Sequence, residues 1–282
     1  MEDKNLVIIG AGGQLGKALS TKYPNSKAVD SDTLDITDFE AVKNFDWSNS
    51  THILNAAAYT NVDGAESPEG RVLAWKINGN GIANLVRIAQ KHNLTLVHVS
   101  TDYVFDGTKD NHPEDEDLSP LSVYGASKAV GDLLVSTLEK HYILRTSWVI
   151  GDGKNFVRSI EGLADKDISP KVVNDQFGRL TFTDELVRAI DHILTNQVSF
   201  GTYNISNEGE TGSWADIARE IYNQLGRNDL SVGNTTAKEY FANQEYTAPR
   251  PTHSKLDLAK IERTGFKPTD WKEDLKTYLG GV

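Results

Sequence analysis

The chain has no cysteine among its 282 residues, which excludes a disulfide framework, a thiol nucleophile and any thiolate metal site. No apolar run approaches the length that spans a bilayer, and the first residues, Met1-Glu2-Asp3-Lys4, lack the pattern of a secretory signal. Cations are in the minority. Lys and Arg number 29 against 40 Asp and Glu, and the formal charge of −11 argues against a nucleic-acid backbone or an anionic membrane as partner. A small anionic ligand stays open, because a helix N-terminus and a few arginines decide that locally. Together these absences fit a cytoplasmic protein. Solenoid repeats and low-complexity segments are missing as well. What is present is length and a hydrophobic content of 38%, enough for one large α/β domain or a core domain with a smaller lobe.

Short apolar runs at 5–9, 27–29, 52–54, 94–99 and 142–144 read as strands, separated by helical patterns such as 70–92. Strand and helix in alternation imply crossover connections and a parallel sheet, so the expected fold is a Rossmann-like, doubly wound α/β domain over residues 1–150. The second half is more irregular. Helices are expected at 155–164, 183–194, 213–225 and from about Trp271, with a loop at Ala248-Pro249-Arg250-Pro251. Residues 151–282 therefore read mainly as a smaller α/β substrate-binding lobe, with part of 171–196 returning to the first domain. The acidic run 113–117, bounded by prolines, reads as a solvated loop rather than a metal site.

The run Gly10-Ala11-Gly12-Gly13-Gln14-Leu15-Gly16 follows the first strand and opens the first helix. A tight turn, close approach of backbone N–H groups to a pyrophosphate, and a helix packed hard on the sheet all demand glycine there. An ordinary strand–helix turn is the competing reading. Asp30 closes the second strand, twenty residues beyond Gly10. A carboxylate at that point accepts hydrogen bonds from an adenosine ribose and repels a 2′-phosphate, which favours NADH over NADPH, with Lys27 near enough in sequence to soften the repulsion. Asp35-Ile36 suits either an adenine-side loop or a helix N-cap. Asn55-Ala56-Ala57-Ala58 ends the third strand with small residues, which let a flat cofactor lie on the backbone or simply pack tightly.

Ser122-Val123-Tyr124-Gly125-Ala126-Ser127-Lys128 sets a phenol and an ammonium four residues apart. Tyr-x-x-x-Lys is a weak signal among ten tyrosines, and Tyr23 with Lys27 also matches it. Pro24 interrupts that first pair. Tyr124 and Lys128 instead lie in a helical pattern over 124–138, where residues four apart share a face. A free phenol titrates near 10, and a nearby ammonium favours the phenolate. Tyr124 can then give a proton to a carbonyl oxygen as hydride reaches the carbon, and Lys128 can hold the nicotinamide ribose with its spare donors. Thr101 either hydrogen-bonds the substrate oxygen or satisfies a strand-end backbone group.

These motifs, with Ser100-Thr101-Asp102-Tyr103-Val104-Phe105, resemble the extended short-chain dehydrogenase/reductases. More narrowly, Gly13-Gln14-Leu15-Gly16, Tyr59-Thr60-x-Val62-Asp63-x-Ala65-Glu66, Asp106-Gly107, Arg145-Thr146-Ser147-Trp148-Val149, Asn155-Phe156-Val157, Val173-x-Asp175-Gln176-x-Gly178 and Arg250-Pro251-x-x-Ser254 resemble the dTDP-4-dehydrorhamnose reductase family. The resemblance spans essentially the whole chain. It implies reduction of the C4 ketone of dTDP-4-dehydro-L-rhamnose by NADH or NADPH, the last step of dTDP-L-rhamnose synthesis. By the same resemblance Tyr124 is the proton donor, Lys128 and Thr101 assist, and Thr101, Asp102, Tyr103 and Trp148 meet the substrate. Cofactor contacts fall on Gly10, Gly13, Gln14, Leu15, Asp30, Asp35, Ile36, Ala58, Tyr59, Thr60, Val99, Tyr124 and Lys128. Trp148 also reads as plain packing; as a ligand wall it would face a deoxysugar methyl or the thymine.

Two departures stand out. The chain reads Gly178-Arg179-Leu180-Thr181 where family members commonly carry proline. Some members dimerise through magnesium held by glutamates, and no residues here take those positions one by one, so no metal ligand is assigned and monomer and homodimer both stay open. Residues 148–155 resemble forms linked to a 3,5-epimerase partner or domain. Two other readings are a related nucleotide-sugar epimerase or dehydratase and a non-catalytic regulatory subunit. Thr101-Asp102-Tyr103 lacks the adjacent glutamate of a dehydratase, and the complete Tyr, Lys and Thr set speaks against lost catalysis.

Overall fold

The computed structural model describes residues 3–280. Its centre is a parallel sheet of six strands: β1 (Leu6–Ile9), β2 (Lys27–Val29), β3 (His52–Asn55), β4 (Thr95–Thr101), β5 (His141–Thr146) and, after four short strands, β10 (Gly201–Asn204). The spatial order is β10-β5-β4-β3-β1-β2. All four residues of β1 are buried, because successive side chains point to opposite faces and helices cover both. Leu6 and Ile8 enter one core with α1 (Gln14–Lys22) and α7 (Thr183–Thr195). Val7 and Ile9 enter the other, with α2 (Phe39–Asn44), α4 (Ile82–His92) and α5 (Val123–Val135). Doubly wound α/β folding is thus the observed class.

Residues 70–92 are not one regular helix. They comprise most of α3 (Pro68–Trp75), a π-helical turn (Lys76–Gly81) and α4. Asn78 in that turn is buried and brackets Tyr59, accepting from its N–H at 2.9 Å and donating to its carbonyl at 3.1 Å. Helix α5 ends at Val135, short of the expected 138. The sixth strand, β10, pairs with β5 and was not expected from the sequence, since Gly-Thr-Tyr-Asn carries little apolar signal.

The second lobe is built from α6 (Phe156–Ala164), α8 (Trp214–Gln224), α9 (Ala237–Tyr240) and α11 (Trp271–Gly280), whereas α10 (Ala259–Glu262) packs beside β10, with Ile261 in the core that Leu6 and Ile8 enter. Short ladders join them: β6 (Val149–Ile150) with β9 (Thr181–Phe182), β7 (Lys171–Val173) with β12 (Gly233–Thr235), and β8 (Phe177–Gly178) with β11 (Gly212–Ser213). Ile150, Val157, Ile160, Phe182, Ile217, Ile221 and Trp271 form its separate core. Arg179, at the departure from proline, is buried and donates from Nη2 to the Leu256 carbonyl at 2.7 Å, tying the loop to the C-terminal segment.

The acidic run is not simply solvated, which corrects the sequence expectation. Glu114 accepts from the Asn204 N–H at 3.0 Å, and its own carbonyl accepts from Arg145 at 3.0 Å. Glu116 takes His112 Nδ1 at 3.0 Å, with a side chain only 6% exposed. An edge strand and a buried histidine supply partners that the local sequence does not reveal. Among the described residues no three His, Asp or Glu side chains are grouped as a metal site, and no helix is long and apolar enough to cross a membrane.

Candidate active site

Parallel sheets collect function at the carboxyl ends of their strands, where the chain reverses winding direction. Here the reversal lies between β1 and β3, and a trench runs across the ends of β1, β3 and β4. One compartment of about 270 Å³ is lined by Gly10, Gly13, Asp30, Asp35, Ile36 and Ala58 among others. It shares Gly13, Ala56 and Ala58 with a larger cleft of about 690 Å³ that holds Gln14, Leu15, Thr60, Val99, Thr101, Asp102, Tyr103, Tyr124, Lys128 and Trp148. The glycine turn and the Tyr/Lys helix, more than a hundred residues apart, thus line one continuous trench.

The glycine requirement is steric. Gly10 has φ of +82°, and a Cβ there would stand 2.7 Å from the Ala57 nitrogen. A Cβ on Gly16 would lie 2.0 Å from the Gly10 carbonyl oxygen, so only glycine lets α1 close on the turn. Gly13 caps α1 without a side-chain acceptor, leaving the first N–H groups of the helix open to the trench. A Cβ on Gly12 would meet Asp30 Oδ2 at 2.1 Å, so the carboxylate lies directly over the turn. The turn and the flat alanine floor therefore fit a dinucleotide.

Other cofactor candidates prove to have structural duties. Asp35 Oδ1 accepts from the Thr37 N–H at 2.8 Å and the Thr37 hydroxyl at 2.7 Å, which lowers its pKa and makes the local turn. Gln14 Oε1 accepts from the Gly151 N–H at 2.7 Å and so fastens the second lobe to the glycine turn. Tyr59 packs with Ala65, Ala74 and Tyr124 in a small apolar cluster. Lys27 is engaged with Asp46, 2.9 Å from both its carboxylate and its carbonyl. Tyr23 likewise leaves Lys27, donating to Asp191 at 3.0 Å.

Tyr124 and Lys128 lie on consecutive turns of α5, which Ser122 caps by accepting from the Gly125 N–H at 3.1 Å. Both are buried. Burial raises the Tyr124 pKa well above the ordinary phenol value; the Thr101 hydroxyl facing it opposes that, and the nearby carboxylates add to it. The phenol of the ligand-free protein therefore keeps its proton. Lys128 donates to the Val99 carbonyl at 2.7 Å, and burial lowers its pKa to about 8. Thr101 satisfies the backbone at the strand end, as one of its two readings had it. It donates to Asp102 Oδ1 at 3.0 Å, accepts from the Tyr103 N–H at 3.2 Å, and still lines the cleft. Burial raises Asp102 to about 6, and its Oδ2 is buried without a partner. Tyr103 meets Tyr124 edge to face, with ring centres 5.4 Å apart.

Trp148 has φ of +46°, an unusual conformation for a large residue, and stacks on Trp214 with ring centres 3.6 Å apart. Trp214 was missed in the sequence; nothing local marks it, because the stack joins the β5–β6 turn to α8. Trp214 and Tyr103 open onto a third compartment of about 470 Å³, lined also by Phe156, Lys171, Gln176, Tyr240, Phe241 and Arg250. Arg250 pairs with Asp63 of the β3–α3 loop at 2.7 Å and lies over the Phe241 ring, tying that loop to the wall of this compartment.

Residues 4–282 match the family described as the RmlD substrate binding domain. The sequence is 38% identical to a dTDP-4-dehydrorhamnose reductase of Aggregatibacter actinomycetemcomitans, over 96% of this chain and 97% of that protein. A solved dTDP-4-dehydrorhamnose reductase of Clostridium acetobutylicum superposes with a TM-score of 0.89 at 36% identity, covering 97% of this chain and 98% of that one. That of Bacillus anthracis, in complex with NADP, gives a TM-score of 0.89 at 32% identity, covering 98% and 99%. With fold, trench and full-length similarity in agreement, this chain belongs to the dTDP-4-dehydrorhamnose reductase family.

Proposed function

We propose that the protein reduces the C4 ketone of dTDP-4-dehydro-L-rhamnose, with Tyr124 as proton donor. The observation that carries this reading is the shared cleft of Tyr124, Lys128 and Thr101, continuous with the glycine turn. A bound reduced nicotinamide coenzyme supplies the hydride. Gly10, Gly13, Leu15 and the first N–H groups of α1 hold its diphosphate, Asp30, Asp35 and Ile36 its adenosine end, and Ala58, Thr60, Val99 and Lys128 its nicotinamide half. Thr101 donates to the ketone oxygen, Tyr124 protonates it, and the Lys128 ammonium offsets the phenolate charge that remains. Asp102 accepts from a sugar hydroxyl, and Trp148, Trp214 and Tyr103 exclude water from the reacting carbon. The aromatic compartment with Lys171 and Arg250 receives the nucleoside diphosphate. In this reading residues 1–150, with the segment of α7 and β10, bind coenzyme, and the rest of 151–282 binds substrate.

The test supplies the epimerised keto sugar with NADH or NADPH and follows nicotinamide absorbance. Oxidation dependent on the sugar is expected, and none with either coenzyme overturns the reading. Asp30 should make NADH the better coenzyme by kcat/KM, and Asp30→Ala should narrow that preference. A wild-type enzyme that favours NADPH would remove Asp30 from the ribose.

The profile of kcat/KM against pH should be bell-shaped. It rises as Asp102 ionises near 6 and falls as Lys128 loses its proton near 8. Asp102→Asn should abolish the acid limb while leaving the alkaline one in place. Retention of the acid limb in that variant would assign it to another group.

A further inference from the structure

Behind Lys128, away from the cleft, lies His98 of β4, fully buried. The Ala57 N–H donates to Asn55 Oδ1 at 3.2 Å, which orients the amide so that Asn55 Nδ2 faces His98 Nδ1 at 3.0 Å. An amide N–H only donates, so Nδ1 must accept. Burial keeps the imidazole neutral, helped by the neighbouring lysine charge. Its single proton therefore sits on Nε2, which stands 3.4 Å from Lys128 Nζ. An ammonium has donors and no acceptor, whereas a neutral amine has a lone pair that this N–H can meet.

We propose that Asn55 locks His98 as the Nε2–H tautomer and that His98 is thereby a positioning residue for Lys128, opposing its protonation from behind the cleft. Gly131, one turn beyond Lys128, gives the imidazole its room: a Cβ there would stand 3.2 Å from His98 Nε2 and 3.1 Å from the Asn78 carbonyl. The remaining titratable groups around Lys128 pull in known directions. Asp132 on the same helix favours the ammonium and is itself paired with Arg145 of β5 at 3.0 Å. Tyr124 on α5 and Asp102 on the turn after β4 complete the set. An amine balanced between burial, an opposing N–H and one paired carboxylate gains and loses its proton near neutral pH, which suits a partner of the proton donor.

The inference rests on the reading of Lys128 as that partner, and it can be tested without turnover. Imidazole ¹⁵N shifts of the wild-type protein should show a protonated Nε2 and an unprotonated Nδ1 on His98; the opposite tautomer, or an imidazolium at pH 7, overturns the proposal. The ¹³Cε resonance of Lys128, assigned by its loss in Lys128→Met, should titrate about one pH unit higher in His98→Gln, whose amide can turn its oxygen to the ammonium, and higher also in His98→Leu. The alkaline limb of kcat/KM should move with it. An unmoved or lowered titration in either folded variant also overturns the proposal, and should neither variant fold, the wild-type tautomer decides it alone. A correct tautomer in a protein that reduces no keto sugar would reject the assigned reaction and leave the His98–Lys128 contact standing.

Discussion

Replacing Tyr124 by phenylalanine is expected to lower kcat by about 10²–10⁴-fold, the usual cost of losing a positioned general acid. The phenol is the group in the cleft that burial holds protonated, and it stands beside a hydroxyl and an amine that do not duplicate it. Without substrate Thr101 gives its one proton to Asp102 and accepts from the Tyr103 N–H, and with substrate that proton turns to hydrogen-bond the ketone oxygen. Lys128 is anchored to the Val99 carbonyl. Neither is free to move into the vacated place. The ring packs with Tyr59, Ala65 and Ala74, so phenylalanine should retain the fold and the binding of nicotinamide coenzyme, measured by fluorescence titration. Turnover near the wild-type rate would remove Tyr124 from the chemistry.

The second large effect is expected on stability. Arg145→Met should cost about 3–5 kcal/mol, because it leaves the buried Asp132 carboxylate without its cation. Arg145 Nε donates to Asp132 Oδ2 at 3.0 Å with both side chains under 10% exposed, and Nη1 donates to the Glu114 carbonyl at 3.0 Å. Its guanidinium also lies 5.1 Å from the Phe105 ring centre. Burial already raises the Asp132 pKa, with Arg145 the main group opposing it. Without Arg145 the folded state prefers the neutral acid still more. A carboxyl whose folded pKa exceeds its unfolded one loses stability as pH rises through the folded value, so the variant should lose more at pH 8 than at pH 5. Denaturant unfolding at both pH values measures this. The double variant Arg145→Met, Asp132→Leu should recover much of the loss, since it removes the stranded charge. A loss below about 1 kcal/mol in the single variant at pH 8 would mean that Asp132 is solvated or neutral at no cost.

The strands of the first half were legible because each is short and followed by a turn or helix signal, and the burial of β1, β3, β4 and β5 on both faces of a parallel sheet leaves its mark in composition. β10 left none. Its place is set by pairing with β5, some sixty residues earlier, and half of its residues are polar. Tyr124 and Lys128 were legible from helical spacing, and the glycine turn from its context after a strand. Gln14, Asp35 and Lys27 looked like ligand or charge-tuning residues in sequence, and the structure adds what the sequence did not report: their side chains also hold Gly151, Thr37 and Asp46. Side-chain hydrogen bonds of this kind depend on which backbone groups the fold leaves unpaired, and no local pattern reports that.

By itself the sequence determined the class of fold and the family, and it singled out candidates for holding a dinucleotide and giving up a proton. Those depend on local spacing: a strand, a glycine turn, one helical turn between phenol and amine. Tertiary structure alone decided that Asp30 lies over Gly12, that Trp214 stacks on Trp148, and that His98 stands behind Lys128. Each joins residues from separate elements, and the burial of Tyr124 and Lys128 that the fold imposes sets whether the phenol holds its proton and how readily the amine takes one.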